Sequence, residues 1–144
     1  MPYISNDILI GFLKKYNVHK LVLSSGARNI PFVSSVEVDK WFECFSVVDG
    51  RMGLAQQSNE PVAIACTSGT AVSNYVTGVT EAYYSHVPLI AITFDRSPYV
   101  LNQLETQKID QMTVFDSITK ANIELPMIKD EEDTWYCERI LNEA

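Results

Sequence analysis

Pro61-Val62-Ala63-Ile64-Ala65-Cys66-Thr67-Ser68-Gly69-Thr70 runs from an unbroken apolar stretch into small hydroxylated residues and a glycine. An apolar run this short, with no polar alternation, suits a strand covered on both faces, and Thr67-Ser68-Gly69-Thr70 then opens a helix extending to about Ser85. The same beat occurs on either side. Upstream, Lys20 to Ser24 is a short β-rich run that stops at Ser24-Ser25-Gly26, where small residues permit a tight turn. Asn29-Ile30-Pro31 then places a proline in a first helical turn, in a segment ending near Asp39. Downstream, Pro88 to Phe94 is another apolar strand, closing on Asp95-Arg96-Ser97-Pro98.

Outward from this core, Ser5-Asn6-Asp7 precedes Ile8, Leu9, Phe12, Leu13 and Tyr16, the spacing of one buried helical face behind cap-type residues. Trp41 to Val48 reads as a second strand, Leu104 to Ile118 as a helical segment, Ala121 to Leu125 as a fifth strand, and Asp130 to Asn142 as an acidic-capped last helix. Apolar strands alternating with amphipathic helices imply an α/β fold of three layers, α/β/α, around a mostly parallel sheet. Its length of 144 residues suits one domain.

Composition narrows the function. The net charge is −7 and the longest basic cluster is Lys14-Lys15, too little to follow a phosphate backbone, so nucleic acid is not an expected partner. No stretch reaches the roughly eighteen apolar residues of a membrane span, and no basic segment followed by an apolar one opens the chain. Cys44, Cys66 and Cys137 are scattered, with no C-x-x-C pair, and His19 and His86 stand alone, so no metal site is expected. Reduced, mostly buried thiols and a cytoplasmic location are the expectation.

In a parallel sheet ligands collect beyond the carboxyl ends of the strands. The candidate surface is therefore Ser25 to Asn29, Asp49 to Arg51, Thr67 to Thr70 and Asp95 to Pro98. Thr67, Ser68, Gly69 and Thr70 bring hydroxyls and backbone N–H groups to a helix N-terminus; their spacing alone favours helix capping over a ligand role. Arg28 and Arg96 each follow a strand end, and on one rim the two guanidinium groups would grip a carboxylate. Met112, Val114 and Phe115 read as core, and His86, before Val87-Pro88, as a stabilising residue at a helix C-terminus more than a catalytic one.

Ser25-Gly26-Ala27-Arg28-Asn29-Ile30-Pro31, the run from Cys66 to Tyr75, Glu81-Ala82-Tyr83-Tyr84, Val87-Pro88-Leu89-Ile90, Thr93-Phe94-Asp95-Arg96-Ser97-Pro98 and Thr106-Gln107-Lys108-Ile109-Asp110-Gln111 together carry a resemblance. Over nearly its whole length the chain resembles the N-terminal, pyrimidine-binding domain of the thiamine-diphosphate-dependent 2-succinyl-5-enolpyruvyl-6-hydroxy-3-cyclohexene-1-carboxylate synthases of menaquinone biosynthesis. The resemblance implies the pyrimidine-domain type of fold. It also implies a transferase that decarboxylates 2-oxoglutarate and adds the succinyl unit to isochorismate, with thiamine diphosphate as electron sink and Mg2+ holding the diphosphate. Pyrimidine and diphosphate are held by different domains of different subunits, so a homodimer or tetramer is implied. Residue by residue, Arg28 and Arg96 correspond to substrate arginines, Gln107 to the glutamine facing the substrate, and Thr67, Ser68, Gly69 and Thr70 to the pyrimidine side. Ala27 stands where many members have serine.

The chain departs from that family at one decisive place. The family pattern after the second strand is D-E-R, its glutamate promoting the imino tautomer of the aminopyrimidine; here Asp49-Gly50-Arg51 has glycine at that place. No catalytic residue is therefore assigned. Gly50 to Glu60 gives eleven residues between strands two and three, short of the dozen or so that a parallel crossover needs, as if nearly two helical turns were missing. No G-D-G with a distant N, the diphosphate and metal signature, is present, and no G-P-V-type strand follows the last helix, which would leave a sheet edge unpaired. The expectation is a fragment, 1–144, lacking the central and diphosphate-binding domains, inactive alone and holding no cofactor tightly. Two rivals remain open: a non-catalytic dicarboxylate-binding or regulatory module, and the pyrimidine subunit of a split thiamine-diphosphate decarboxylase.

Overall fold

The computed structural model describes residues 4–46 and 60–144. In chain order these form α1 (Ile4–Lys15), β1 (Lys20–Ser24), α2 (Ile30–Val38), β2 (Glu43–Ser46), β3 (Val62–Cys66), α3 (Thr70–Tyr84), β4 (Leu89–Thr93), a 3-10 turn (Pro98–Val100) and α4 (Glu131–Glu143). The strands make one parallel sheet in the order β2-β1-β3-β4, with Leu21 opposite Ala63 and Ala63 opposite Ile90. The α/β architecture expected from the strand-and-helix beat is the one observed.

Alternation along the strands divides the core in two. Leu21 and Leu23 of β1, with Ala63 and Ala65 of β3, face Leu9 and Leu13 of α1, Phe32, Val33 and Val36 of α2, and Cys137 and Leu141 of α4. Val22, Val62, Ile64 and Cys66 face the other way, onto Val72, Tyr75 and Val79 of α3 and onto Phe115. β3 is buried at all five positions, which is why its sequence carries no polar alternation. The crossover through α2 leads from β1 outward to β2, and that through α3 leads from β3 the other way to β4. With right-handed crossovers, opposite directions place the two helices on opposite faces, and the sheet reverses its winding between β1 and β3.

Helix ends follow local chemistry. Asp130 caps α4, accepting a hydrogen bond from the Asp133 N–H at 3.0 Å. At the end of α3, His86 adopts φ 55° and the Val87 N–H reaches the Ala82 carbonyl at 2.9 Å, so the helix is stopped through backbone at His86.

Two expected elements do not form. Leu104 to Ile118 is a chain of turns, because Leu104 and Gln107 take left-handed backbone conformations (φ 57° each) and the later N–H groups close three-residue turns, Val114 on Gln111 and Ile118 on Phe115. Phe115 is nevertheless buried, as the core reading required, whereas Met112 is 37% exposed. Ala121 to Leu125 is not a strand. The Asn122 side chain ties its start to the Met112 carbonyl and the Asp116 carboxylate, Pro126 lacks an N–H, and Leu125 and Ile128 simply pack onto the core. The second strand begins at Glu43 because Trp41 and Phe42 belong to a turn, where the Trp41 N–H bonds the Asp39 carboxylate at 3.0 Å. The expectations for Val47, Val48 and Asp49 to Gly53 lie outside the described residues, as does most of the short connection to Pro61.

Candidate functional site

Parallel strands put all their carboxyl ends on one edge, so three of the four candidate segments, Ser25 to Asn29, Thr67 to Thr70 and Asp95 to Pro98, share it; Asp49 to Arg51 lies outside the described residues. The winding reverses between β1 and β3, the place beyond whose carboxyl ends doubly wound sheets hold ligands. There the loops touch: a Cβ added to Gly26 would sit 2.5 Å from the Thr67 side chain, so only glycine permits the approach.

The β1 loop is held from inside by Asn29, which is fully buried. Its carbonyl oxygen accepts from the Gly26 N–H at 2.8 Å and its amide donates to the Ser24 carbonyl at 3.0 Å. Beneath these loops the Tyr75 hydroxyl donates to the Ala65 carbonyl at 3.0 Å and lies 3.1 Å from the Ser24 Oγ.

The β3 loop is held from outside. Gly69 has φ 74° and ψ −123°, a region essentially restricted to glycine, and an added Cβ would lie 2.5 to 2.7 Å from the backbone of Gln107. Gln111, 8% exposed, clasps both sides: its Oε1 accepts from the Gly69 N–H at 2.9 Å and its Nε2 donates to the Phe94 carbonyl at 3.5 Å. Side-chain capping, favoured by the spacing of Thr67 to Thr70, is not what the structure shows; Gly69 is the N-cap residue and no side chain caps α3. The Ser68 Oγ is buried with no hydrogen-bond partner, while the Thr70 and Ala71 N–H groups of the first turn have no intrahelical acceptor. Thr67 is half-buried and Thr70 exposed.

The two arginines have different surroundings. Arg28 is exposed with no ion pair to any described residue, on the loop after β1, and Arg96 follows β4, with β3 lying between those two strands. Arg96 is largely buried and its guanidinium is engaged by the Glu105 carboxylate. The Gln107 side chain is exposed, and its backbone is what contacts the site. Asn29, Tyr75, Glu105, Lys108 and Gln111 carry the local architecture and had no role assigned from sequence. Four of them lie in the quoted motif runs, but their partners are up to 51 residues away and spacing does not reveal them.

Burial pushes both the Cys66 thiol and the Tyr75 phenol up to about 12, from usual values of 9.0 and 10.0; for Tyr75 the hydrogen bond to Ser24 opposes the shift. Cys66 is thus a packing residue, inert as a nucleophile. Because both acids keep their protons longer in the folded chain, stability is full below about pH 9 and falls as pH rises towards 12. We expect a loss on the order of 2 kcal/mol between pH 8.5 and 11 in urea titrations, flattened by Cys66→Ala. A level profile in wild type would contradict this burial.

What this edge gathers at the winding reversal is two close-approaching glycines, an orphan hydroxyl and a helix N-terminus. Among the described residues no three His, Cys, Asp or Glu side chains are grouped to hold a metal ion. The parallel sheet with helices on both faces and a winding reversal defines a doubly wound α/β domain. Residues 5–114 match the model of the thiamine pyrophosphate enzyme N-terminal TPP binding domain, and the chain belongs to that family.

Among curated proteins it is 42% identical, over 142 aligned positions, to the 2-succinyl-5-enolpyruvyl-6-hydroxy-3-cyclohexene-1-carboxylate synthase of Bacteroides fragilis, covering 94% of this chain and 26% of that protein. The synthase of the same name from Porphyromonas gingivalis is 37% identical over 148 positions, covering 96% and 25%. This chain spans about a quarter of the length of these relatives. Since 94% of 144 residues is about 135, about seven of the 142 positions aligned with the Bacteroides protein have no residue here. Among solved structures, benzoylformate decarboxylase from Polynucleobacter necessarius superposes with a TM-score of 0.70 at 19% identity (83% of this chain, 23% of that one). A thiamine diphosphate-dependent 4-hydroxybenzoylformate decarboxylase from Rhodococcus jostii gives 0.65 at 17% (81% and 23%). Both share the fold.

Proposed function

We propose that this chain is the pyrimidine-binding part of a thiamine-diphosphate- and Mg2+-dependent synthase that decarboxylates 2-oxoglutarate and adds the succinyl unit to isochorismate. The observation that carries this reading is the close approach of Gly26 to Thr67 at the sheet's winding reversal, with the orphan Ser68 hydroxyl beside it, in a chain 42% identical to a synthase of that name. Thr67, Ser68, Gly69 and Thr70 would line the pyrimidine side; Arg28, Arg96 and Gln107 would meet substrate carboxylates and the substrate pocket. Mg2+ and the diphosphate belong to another domain, supplied by a second subunit of a homodimer or tetramer. The cofactor supplies the electron sink; the residues here bind and orient. No described helix is long and apolar enough to cross a membrane, which accords with a cytoplasmic pathway enzyme.

By itself the chain is half a site. Incubated with 2-oxoglutarate, isochorismate, thiamine diphosphate and Mg2+, the pure chain is expected to release no carbon dioxide above the protein-free rate, and measurable turnover would refute the half-site reading. A second reading, a non-catalytic dicarboxylate-binding module, draws on Asp49-Gly50-Arg51, where the family glutamate is replaced.

A further inference from the structure

Arg96 is held in a way that exceeds what a structural ion pair needs. Its backbone N–H bonds the Asp95 carboxylate at 2.7 Å, and Lys108, only 6% exposed at its side chain, pairs with the same carboxylate at 2.5 Å and donates to the Arg96 carbonyl at 3.3 Å. The peptide carrying Arg96 is therefore fixed at both Asp95 and Arg96. Three residues before Lys108, the Glu105 carboxylate meets one prong of the Arg96 guanidinium, Nη1. The Nε–H beside it is buried and has no partner.

A guanidinium binds a carboxylate best with two parallel N–H donors. Here a carboxylate sits on Nη1 while the buried Nε–H is left without an acceptor, an arrangement that costs free energy and is relieved by a carboxylate that takes Nε–H as well. The segment delivering Glu105 is itself costly. Asn102, Leu104 and Gln107 all have positive φ (62°, 57° and 57°), and Leu104 is fully exposed, so burial of its side chain does not compensate the strain. What the strained turn achieves is the placement of a carboxylate on Arg96. Glu105 is 40% exposed at its side chain and can retreat into water, whereas Arg96, at 18%, cannot.

We infer that Glu105 is an internal stand-in for a ligand carboxylate: it occupies Arg96 in the free chain and is displaced when a dicarboxylate grips the guanidinium with both prongs. This rests on the reading of Arg96 as a carboxylate-binding residue. Glu105 then sets affinity by competition, because a ligand binds only the fraction of molecules in which Arg96 is released. If Glu105 holds Arg96 about 80 to 90% of the time, removing its charge tightens binding about five- to tenfold.

The test is a titration of the 144-residue chain with 2-oxoglutarate, followed by 1H–15N NMR at the Arg96 Nε–H, in wild type, Glu105→Gln, Arg96→Lys and the double variant. The expected result is a dissociation constant about five- to tenfold lower in E105Q, with the Arg96 signal of free E105Q displaced from that of wild type. R96K should bind more weakly than wild type, and the double variant no better than R96K. Equal affinity in wild type and E105Q, with R96K weaker, would overturn the stand-in while leaving Arg96 a carboxylate site. Affinity unaltered by R96K in either background, or no binding by E105Q at tens of millimolar ligand, would overturn both. Glu105 lies on an exposed turn, and amide shifts outside residues 95–111 that match wild type establish that E105Q keeps the fold.

Discussion

Gly69→Ala should destabilise the chain by about 3 kcal/mol, while Gly11→Ala should stabilise it by about 0.5 to 1 kcal/mol. The same added methyl group acts with opposite sign because the two backbones differ. Gly11 lies inside α1 with nothing within 4 Å of an added Cβ, so alanine there only improves helix propensity. At Gly69 alanine must either abandon φ 74° or push away the Gln107 backbone, and Gln107 has positive φ of its own. Moving residues 105–111 outward would break the Gln111 clasp on the Gly69 N–H, leaving a buried donor and acceptor unpaired. Urea midpoints for the two variants give the difference directly, and equal midpoints would mean that the β3 loop and residues 105–111 are not packed together.

The second large effect concerns turnover. In a chimera where this chain replaces the matching N-terminal quarter of the Bacteroides fragilis relative, kcat for 2-oxoglutarate consumption should fall about a hundredfold or more below that of the relative. The cause is the glycine of Asp49-Gly50-Arg51, which offers no acid where the family pattern has one. Gly50→Glu in the chimera should recover at least about tenfold, and adding the relative's missing positions, about seven, should recover most of the remainder. The steady-state rates of the three proteins check this, and unimpaired turnover by the unaltered chimera would show that this chain completes the site without the glutamate.

The parts of the fold that sequence displays are those governed by neighbours. Lys20 to Ser24 forms β1 at its expected bounds, and Val62 to Cys66 forms β3 within a residue, because burial on both faces leaves an apolar run that no helix of that length would need. The acidic start of α4 is equally local, with Asp130 bonding a residue three positions on. What sequence hides is governed by distant partners. Leu104 to Ile118 has helical spacing, yet Gln111 spends its side chain on Gly69, 42 residues away, and Leu104 and Gln107 turn left-handed. The site divides in the same way. Gly26, Thr67 and Gly69 announce themselves as strand-end residues, whereas the pairing of Arg96 with Glu105 depends on how residues 101–108 double back.

The central claim, a thiamine-diphosphate half-site without its activating acid, is tested most directly by hydrogen–deuterium exchange at the thiazolium carbon of cofactor bound to the chimera with Mg2+. The prediction is that cofactor binds but exchanges at close to its rate free in solution, and that Gly50→Glu accelerates exchange about a hundredfold or more. Exchange by the unaltered chimera as fast as by the Bacteroides relative would contradict it.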